Sequence, residues 1–162
     1  MSPHLISRVT ILGTGLIGGS FALALLKYAT GLHISGWDRP EIVNQARSRN
    51  AIDEAFTGDL APALRATDLV YIDPPGTGFS EAISPATNGD FWSVDSDARI
   101  FEGFIQRYLT VNKRNVSPLY LYGESYGTPR TCVLSWMLHE DGVDLNGVVL
   151  QSSILDYSPP QD

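Results

Sequence analysis

The chain has 162 residues, with 43% hydrophobic and 18% charged positions and a mean hydropathy of −0.03, the profile of one ordinary globular domain and not of a disordered chain. A net charge of −7 and a pI near 4.8 argue against a phosphate-binding nucleic-acid surface, so no nucleic-acid partner is expected. No run approaches the roughly 20 apolar residues that span a membrane, no secretory signal is visible, and Cys132 stands alone, which excludes an internal disulfide and favours a reducing, cytoplasmic setting.

In chain order, residues 8–12 (RVTIL) are a β-branched run that stops at glycine, a buried strand. Residues 15–29 form a helix with apolar Leu16, Ile17, Phe21, Leu23, Leu25 and Leu26. A second strand covers 33–38, and Pro40 suits the first turn of a helix over 41–49. Residues 53–57 are a weak strand, 60–66 a short helix and 68–73 (DLVYID) a strong strand, with a Pro/Gly turn at 74–78. Residues 80–93 look irregular. An amphipathic helix is expected over 95–112, carrying Ala98, Ile100, Phe101, Phe104, Ile105, Tyr108 and Leu109. Pro118 introduces a strand at 119–123. Residues 126–140 are helical with Pro129 in the first turn, and 145–152 form the last strand. This alternation predicts an α/β fold: a single Rossmann-like three-layer domain, residues 1–162, with a mostly parallel sheet of five or six strands.

The composition changes partway along. Residues 1–70 hold six basic and six acidic residues, so the whole of the −7 falls on residues 71–162. Six of the seven tyrosines and seven of the ten prolines lie there too. Such a step suggests halves of different origin.

Gly13, Gly15 and Gly18 form G-T-G-L-I-G between the first strand and the first helix. Gly13 permits a tight turn, Gly15 lets backbone approach a pyrophosphate, and Gly18 lets helix and strand pack closely. The helix N-terminus supplies orphan N–H groups. Asp38 ends the next strand, where an acid that binds ribose belongs. Gly13, Thr14, Gly15, Leu16, Ile17, Gly18, Asp38 and Arg39 are therefore the candidate cofactor-binding residues. Asp38 favours NAD over NADP, because it repels a 2′-phosphate; the adjacent Arg39 leaves NADP open. The runs ILGTGLIGGSFALAL, GWDR and ARSRNAIDEAFTGD resemble the N-terminal domain of prephenate (arogenate) dehydrogenases over about residues 7–72. The resemblance implies an NAD(P)-binding Rossmann half. That family also uses a later catalytic histidine and a helical dimerisation domain, and neither follows in this sequence.

A second motif, Gly123-Glu124-Ser125-Tyr126-Gly127, fits G-x-S-x-G between a strand and a helix. A sharp turn there exposes the Ser125 hydroxyl and lets the Tyr126 N–H donate to an oxyanion. With DPPGTGFS, the FW at 91–92 and VDSDA in order before it, the segment of about 68–158 resembles the serine carboxypeptidase family of α/β hydrolases. The resemblance implies Ser125 as nucleophile and Glu124 as a residue that helps hold a substrate carboxylate. A serine nucleophile needs a base. His139 lies 14 residues on, His4 and His33 precede the serine and do not match the family's position, and Asp156 without a histidine makes no triad. Ser125 is thus expected to be a structural turn without peptidase activity.

Together the two resemblances predict a chimera, engineered rather than natural, with 1–70 dehydrogenase-like and 71–162 carboxypeptidase-like, joined near residues 66–73. A sheet that was never jointly optimised leaves exposed apolar patches and a tendency to self-associate. No metal site is expected, since His139, Glu140 and Asp141 read as a solvated helix end. Trp37, Trp92 and Trp136 read as core or loop packing, and the acids from Asp90 to Glu102 as a helix N-terminus.

Overall fold

The computed structural model describes residues 6–65, 67–77 and 80–154. The chain divides into two compact units, Met1–Pro85 and Ala86–Asp162.

The first unit holds β1 (Arg8–Leu12), α1 (Leu16–Tyr28), β2 (His33–Trp37), α2 (Pro40–Ser48), β3 (Glu54–Phe56) and β4 (Leu69–Ile72). All four strands are parallel, in the order β3-β2-β1-β4. β1 has a partner on each side, and four of its five residues are buried, which is why it reads as a continuous apolar run. Val9, Ile11 and Ile34 pack against Ala22 of α1 and Val43 and Ala46 of α2. Each large aliphatic side chain so enclosed contributes roughly 1.5–3 kcal/mol. Thr10 is buried in the same strand, and its hydroxyl is satisfied by Thr67 Oγ1 at 2.7 Å and the Ala63 carbonyl at 2.9 Å.

The register decides where the strands end. Leu12 sits opposite Trp37 on one side and Ile72 on the other. The next residue of each strand, Gly13, Asp38 and Asp73, therefore falls on the same edge of the sheet.

The second unit holds α3 (Val94–Val111), β5 (Tyr120–Glu124), α4 (Gly127–Glu140) and β6 (Gly147–Gln151). Ser93 caps α3 by accepting the Ser96 N–H at 3.1 Å, and Asp95 and Asp97 lie in its first turn, where the helix dipole favours anions. Ala98, Ile105 and Leu109 of α3 pack on Leu134, Met137 and Leu138 of α4. β5 and β6 pair in parallel as a two-stranded sheet. Tyr120, Tyr122 and Val149 lie on one face of it and are 65%, 58% and 54% exposed.

The α/β class and the parallel pairing agree with the sequence. Among the described residues the strands divide into a sheet of four and a sheet of two instead of the expected single sheet. β4 docks beside β1 from Val9–Leu69 to Leu12–Ile72, and β5 pairs with β6. β4 therefore belongs to the first unit, and that unit runs to Pro85, beyond the composition step at 70. Residues 60–65 form turns instead of a helix, with Asp59 Oδ1 accepting the Ala61 N–H at 3.1 Å. Residues 80–93 contain a short 3-10 turn, Asn88–Phe91, closed by a Thr87–Asp90 capping box. Trp37 Nε1 donates to the Gly58 carbonyl at 3.1 Å. Trp92 and Trp136 are exposed, not packed. His4, Asp156, residue 66 and residue 78 lie outside the described residues. Among the described residues no helix is long and apolar enough to cross a membrane.

Candidate functional site

The turn from β1 into α1 is tight. Gly13 has φ +100°, a conformation that residues with a Cβ rarely adopt, and its N–H donates to the Trp37 carbonyl at 3.0 Å. A Cβ on Gly13 would meet the Asp73 carboxyl. A Cβ on Gly18 would meet the Gly13 carbonyl and Ile11 Cγ2, so Gly18 is what lets α1 lie close on β1. Gly15 precedes helix α1 and offers no side-chain cap, and the Gly19 N–H donates to the Gly15 carbonyl at 2.8 Å. The N–H groups of Leu16, Ile17 and Gly18 therefore precede the first intrahelical bond, at the positive end of the helix. Leu16 and Ile17 are exposed. This is an anion-binding geometry.

Asp38 lies beside the turn and is buried. Its Oδ2 accepts the Thr14 N–H at 2.7 Å and the Thr14 hydroxyl at 3.3 Å, and its Oδ1 accepts the Arg39 N–H at 2.7 Å. The acid expected at a ribose is thus also the clamp that shapes the glycine turn. A carboxylate oxygen can accept two bonds, so Oδ1 keeps capacity for a ligand hydroxyl. Arg39 immediately precedes α2, and its side chain reaches Glu41 at 3.6 Å.

Asp73, at the end of β4, is the member of this edge that sequence reading missed. It is 7% exposed, and no described residue hydrogen-bonds its carboxyl. Burial, and then the neighbouring Asp38 carboxylate, push its pKa from 3.8 up to about 6. The available signal was the parallel register: the acid that follows DLVYI must fall beside the first glycine.

A cleft of about 270 Å³ opens between α1 and α2, lined by Thr14, Gly15, Leu16, Leu23, Gln45 and Arg49 among others. It shares the start of the glycine turn but neither Asp38 nor Asp73.

In the second unit, Glu124, Ser125 and Tyr126 turn β5 sharply into α4. Ser125 has φ +53°, which costs a residue with a Cβ roughly 1–2 kcal/mol. Its N–H donates to the Gln151 carbonyl at 3.0 Å, and its carbonyl accepts from Thr128 N–H at 2.9 Å and Thr128 Oγ1 at 2.7 Å. Gly123 is required, since a Cβ there would meet the Gly127 carbonyl and Thr131 Oγ1. Tyr126 precedes α4, and the Arg130 guanidinium lies 5.3 Å from its ring centre. Glu124 is exposed. The described histidine of this unit, His139, is near the other end of α4 and holds Asp144 at 2.9 Å. It lies 14 positions beyond Ser125, most of them in α4, which separates the two by about 20 Å. Asp141 Oδ2 accepts from Gln106 Nε2 at 2.6 Å. Among the described residues no three metal-binding side chains cluster.

The strand order, with β1 at its switch point and a glycine turn leading into α1, defines the first unit as a Rossmann-like α/β half. No family profile matches the chain. It is 33% identical over 93 residues to the cyclohexadienyl dehydrogenase of Zymomonas mobilis, a match covering 55% of this chain and 31% of that protein. The chain thus spans about a third of the length of the curated relative it matches. Among solved structures it is similar to prephenate dehydrogenase from A. aeolicus in complex with hydroxyphenyl propionate and NAD+, at 23% identity and a TM-score of 0.49, covering 74% of this chain and 34% of that one.

Proposed function

We propose that the first unit binds a dinucleotide of the NAD type, as the cofactor half of a cyclohexadienyl- or prephenate-type dehydrogenase does. The observation that carries this reading is the glycine turn, with the N–H groups of Leu16, Ile17 and Gly18 ahead of the first intrahelical bond and Asp38 fixed beside them. The match to the Zymomonas mobilis cyclohexadienyl dehydrogenase supports it. The N–H groups serve the pyrophosphate and Asp38 Oδ1 a ribose hydroxyl. Asp38 disfavours a 2′-phosphate, so NAD is preferred to NADP. The nicotinamide supplies hydride chemistry; the described residues are assigned to binding alone. Titration with NADH, followed by fluorescence or calorimetry, is expected to saturate and to be tighter than with NADPH. No binding at millimolar NADH overturns the reading.

In this reading the chain joins the dinucleotide half to a second α/β piece, as an engineered fusion. The composition step and the separation into two units support it. A natural chain matching both units in order would overturn it.

One observation favours a second reading. Ser125 in the left-handed region at a strand–helix turn has the backbone of a nucleophile elbow, which suits a residual serine hydrolase. His139 is occupied elsewhere and serves no base role in it. An aryl-ester assay comparing the parent with Ser125→Ala decides, and equal rates end this reading.

A further inference from the structure

The dinucleotide site carries two carboxyls where an anionic ligand is to sit. Asp38 has its charge matched by three hydrogen-bond donors, two from Thr14 and one from Arg39. Asp73 has none among the described residues, although it is more than nine-tenths buried and lies against Gly13, at the point where a Cβ would project. Asp38, from the end of β2, is the charged group that acts on it. β1 and the glycine turn bring no charge to this edge: Arg8 is at the opposite end of its strand and reaches Glu54 at 4.0 Å. A pyrophosphate on the turn would add negative charge beside a carboxylate that has no donor to hold it ionised.

Resting on the dinucleotide reading above, we propose that Asp73 couples dinucleotide binding to the uptake of a proton: the pyrophosphate settles on the Gly13–Gly18 turn together with a proton on the Asp73 carboxyl. The proton comes from solvent. No bond to the ligand forms, and the Asp73 O–H becomes a donor at the edge of the turn. Unliganded Asp73 releases its proton near neutrality (pKa about 6), so the coupling falls in an accessible range. The sign follows from linkage: a ligand that favours the protonated form binds best below the free pKa and loses affinity as pH rises through it.

Calorimetric titration of the full chain with NAD+ tests this at about pH 5.5 and about pH 8, in two buffers of different ionisation enthalpy at each pH. The expected result is about a tenfold or greater loss of affinity at the higher pH, with net proton uptake in the wild type. Asp73→Asn is expected to bind equally at both pH values, near the wild-type affinity at low pH, with no buffer-dependent heat. A wild type whose affinity is flat with pH, or an Asp73→Asn chain with the same slope as the parent, overturns the proposal. If Asp73→Asn does not fold, proton uptake by the wild type decides alone. Absence of binding at both pH values overturns the dinucleotide reading itself; pH-independent binding overturns only the role of Asp73.

Discussion

Asp38 Oδ2 accepts the Thr14 N–H at 2.7 Å, which ties the acid after β2 to the middle of the glycine turn. Asp38→Ala leaves the buried Thr14 N–H without a partner, at a cost of about 1–3 kcal/mol. Urea denaturation is expected to show that loss, with a smaller one for Asp38→Asn, whose amide oxygen still accepts. Either change also removes the carboxylate that raises the Asp73 pKa, so the Asp73 carboxyl resonance in a carbon-13 NMR titration is expected to titrate at lower pH.

Gly18→Ala places a methyl against the Gly13 carbonyl and Ile11 Cγ2. Overpacking of this kind costs about 1–3 kcal/mol, partly offset by the higher helix propensity of alanine. A lower thermal midpoint and weaker NADH binding are expected together, because the same shift opens the turn.

Asp73 carries a raised pKa, so its ionisation opposes folding. The opposition is absent below the ordinary value of 3.8, grows as pH rises to about 6 and is constant above that. Asp73→Asn is therefore expected to stabilise the chain at pH 7 by about 1–2 kcal/mol after allowance for solvent screening. The difference from the parent shrinks to nothing as pH falls toward 4, and denaturation midpoints measured across that range check it. A mutant that is less stable than the parent at pH 7 contradicts the assignment.

Ser125 holds φ +53° with a Cβ present. Glycine carries no such penalty, and Ser125→Gly is expected to raise stability by about 1 kcal/mol, the relief being reduced by the freedom glycine gains in the unfolded chain. A chain destabilised by this change would show that the serine side chain itself supports the turn.

Much of the first unit was legible because its signals are local. RVTIL, the three glycines and Asp38 each sit within one βαβ unit, where spacing and hydrophobic period are enough. Asp73 was not legible in that way. Its environment is made by pairing β1 with a strand about 60 residues later, and neither its burial nor its neighbour is written in the residues around it. The division into two sheets was hidden for the same reason, since alternating strands and helices fix handedness and direction but not which strand finds which. The exposed Trp136 carried no warning, because an aromatic in a helix carries the same pattern whether or not a neighbour covers it.

β1 and β2 each lie between two strands, whereas among the described residues β5 and β6 pair on one side alone. Amide protons on β1 and β2 sit in strands paired on both sides, so they are expected to be the slowest of the strands to exchange with heavy water. Those of β5 and β6 are held by one ladder beneath an exposed surface of Tyr120, Tyr122 and Val149. A deuterium pulse would therefore label the second sheet first, and the clock it provides would time the opening of each unit separately within a single chain.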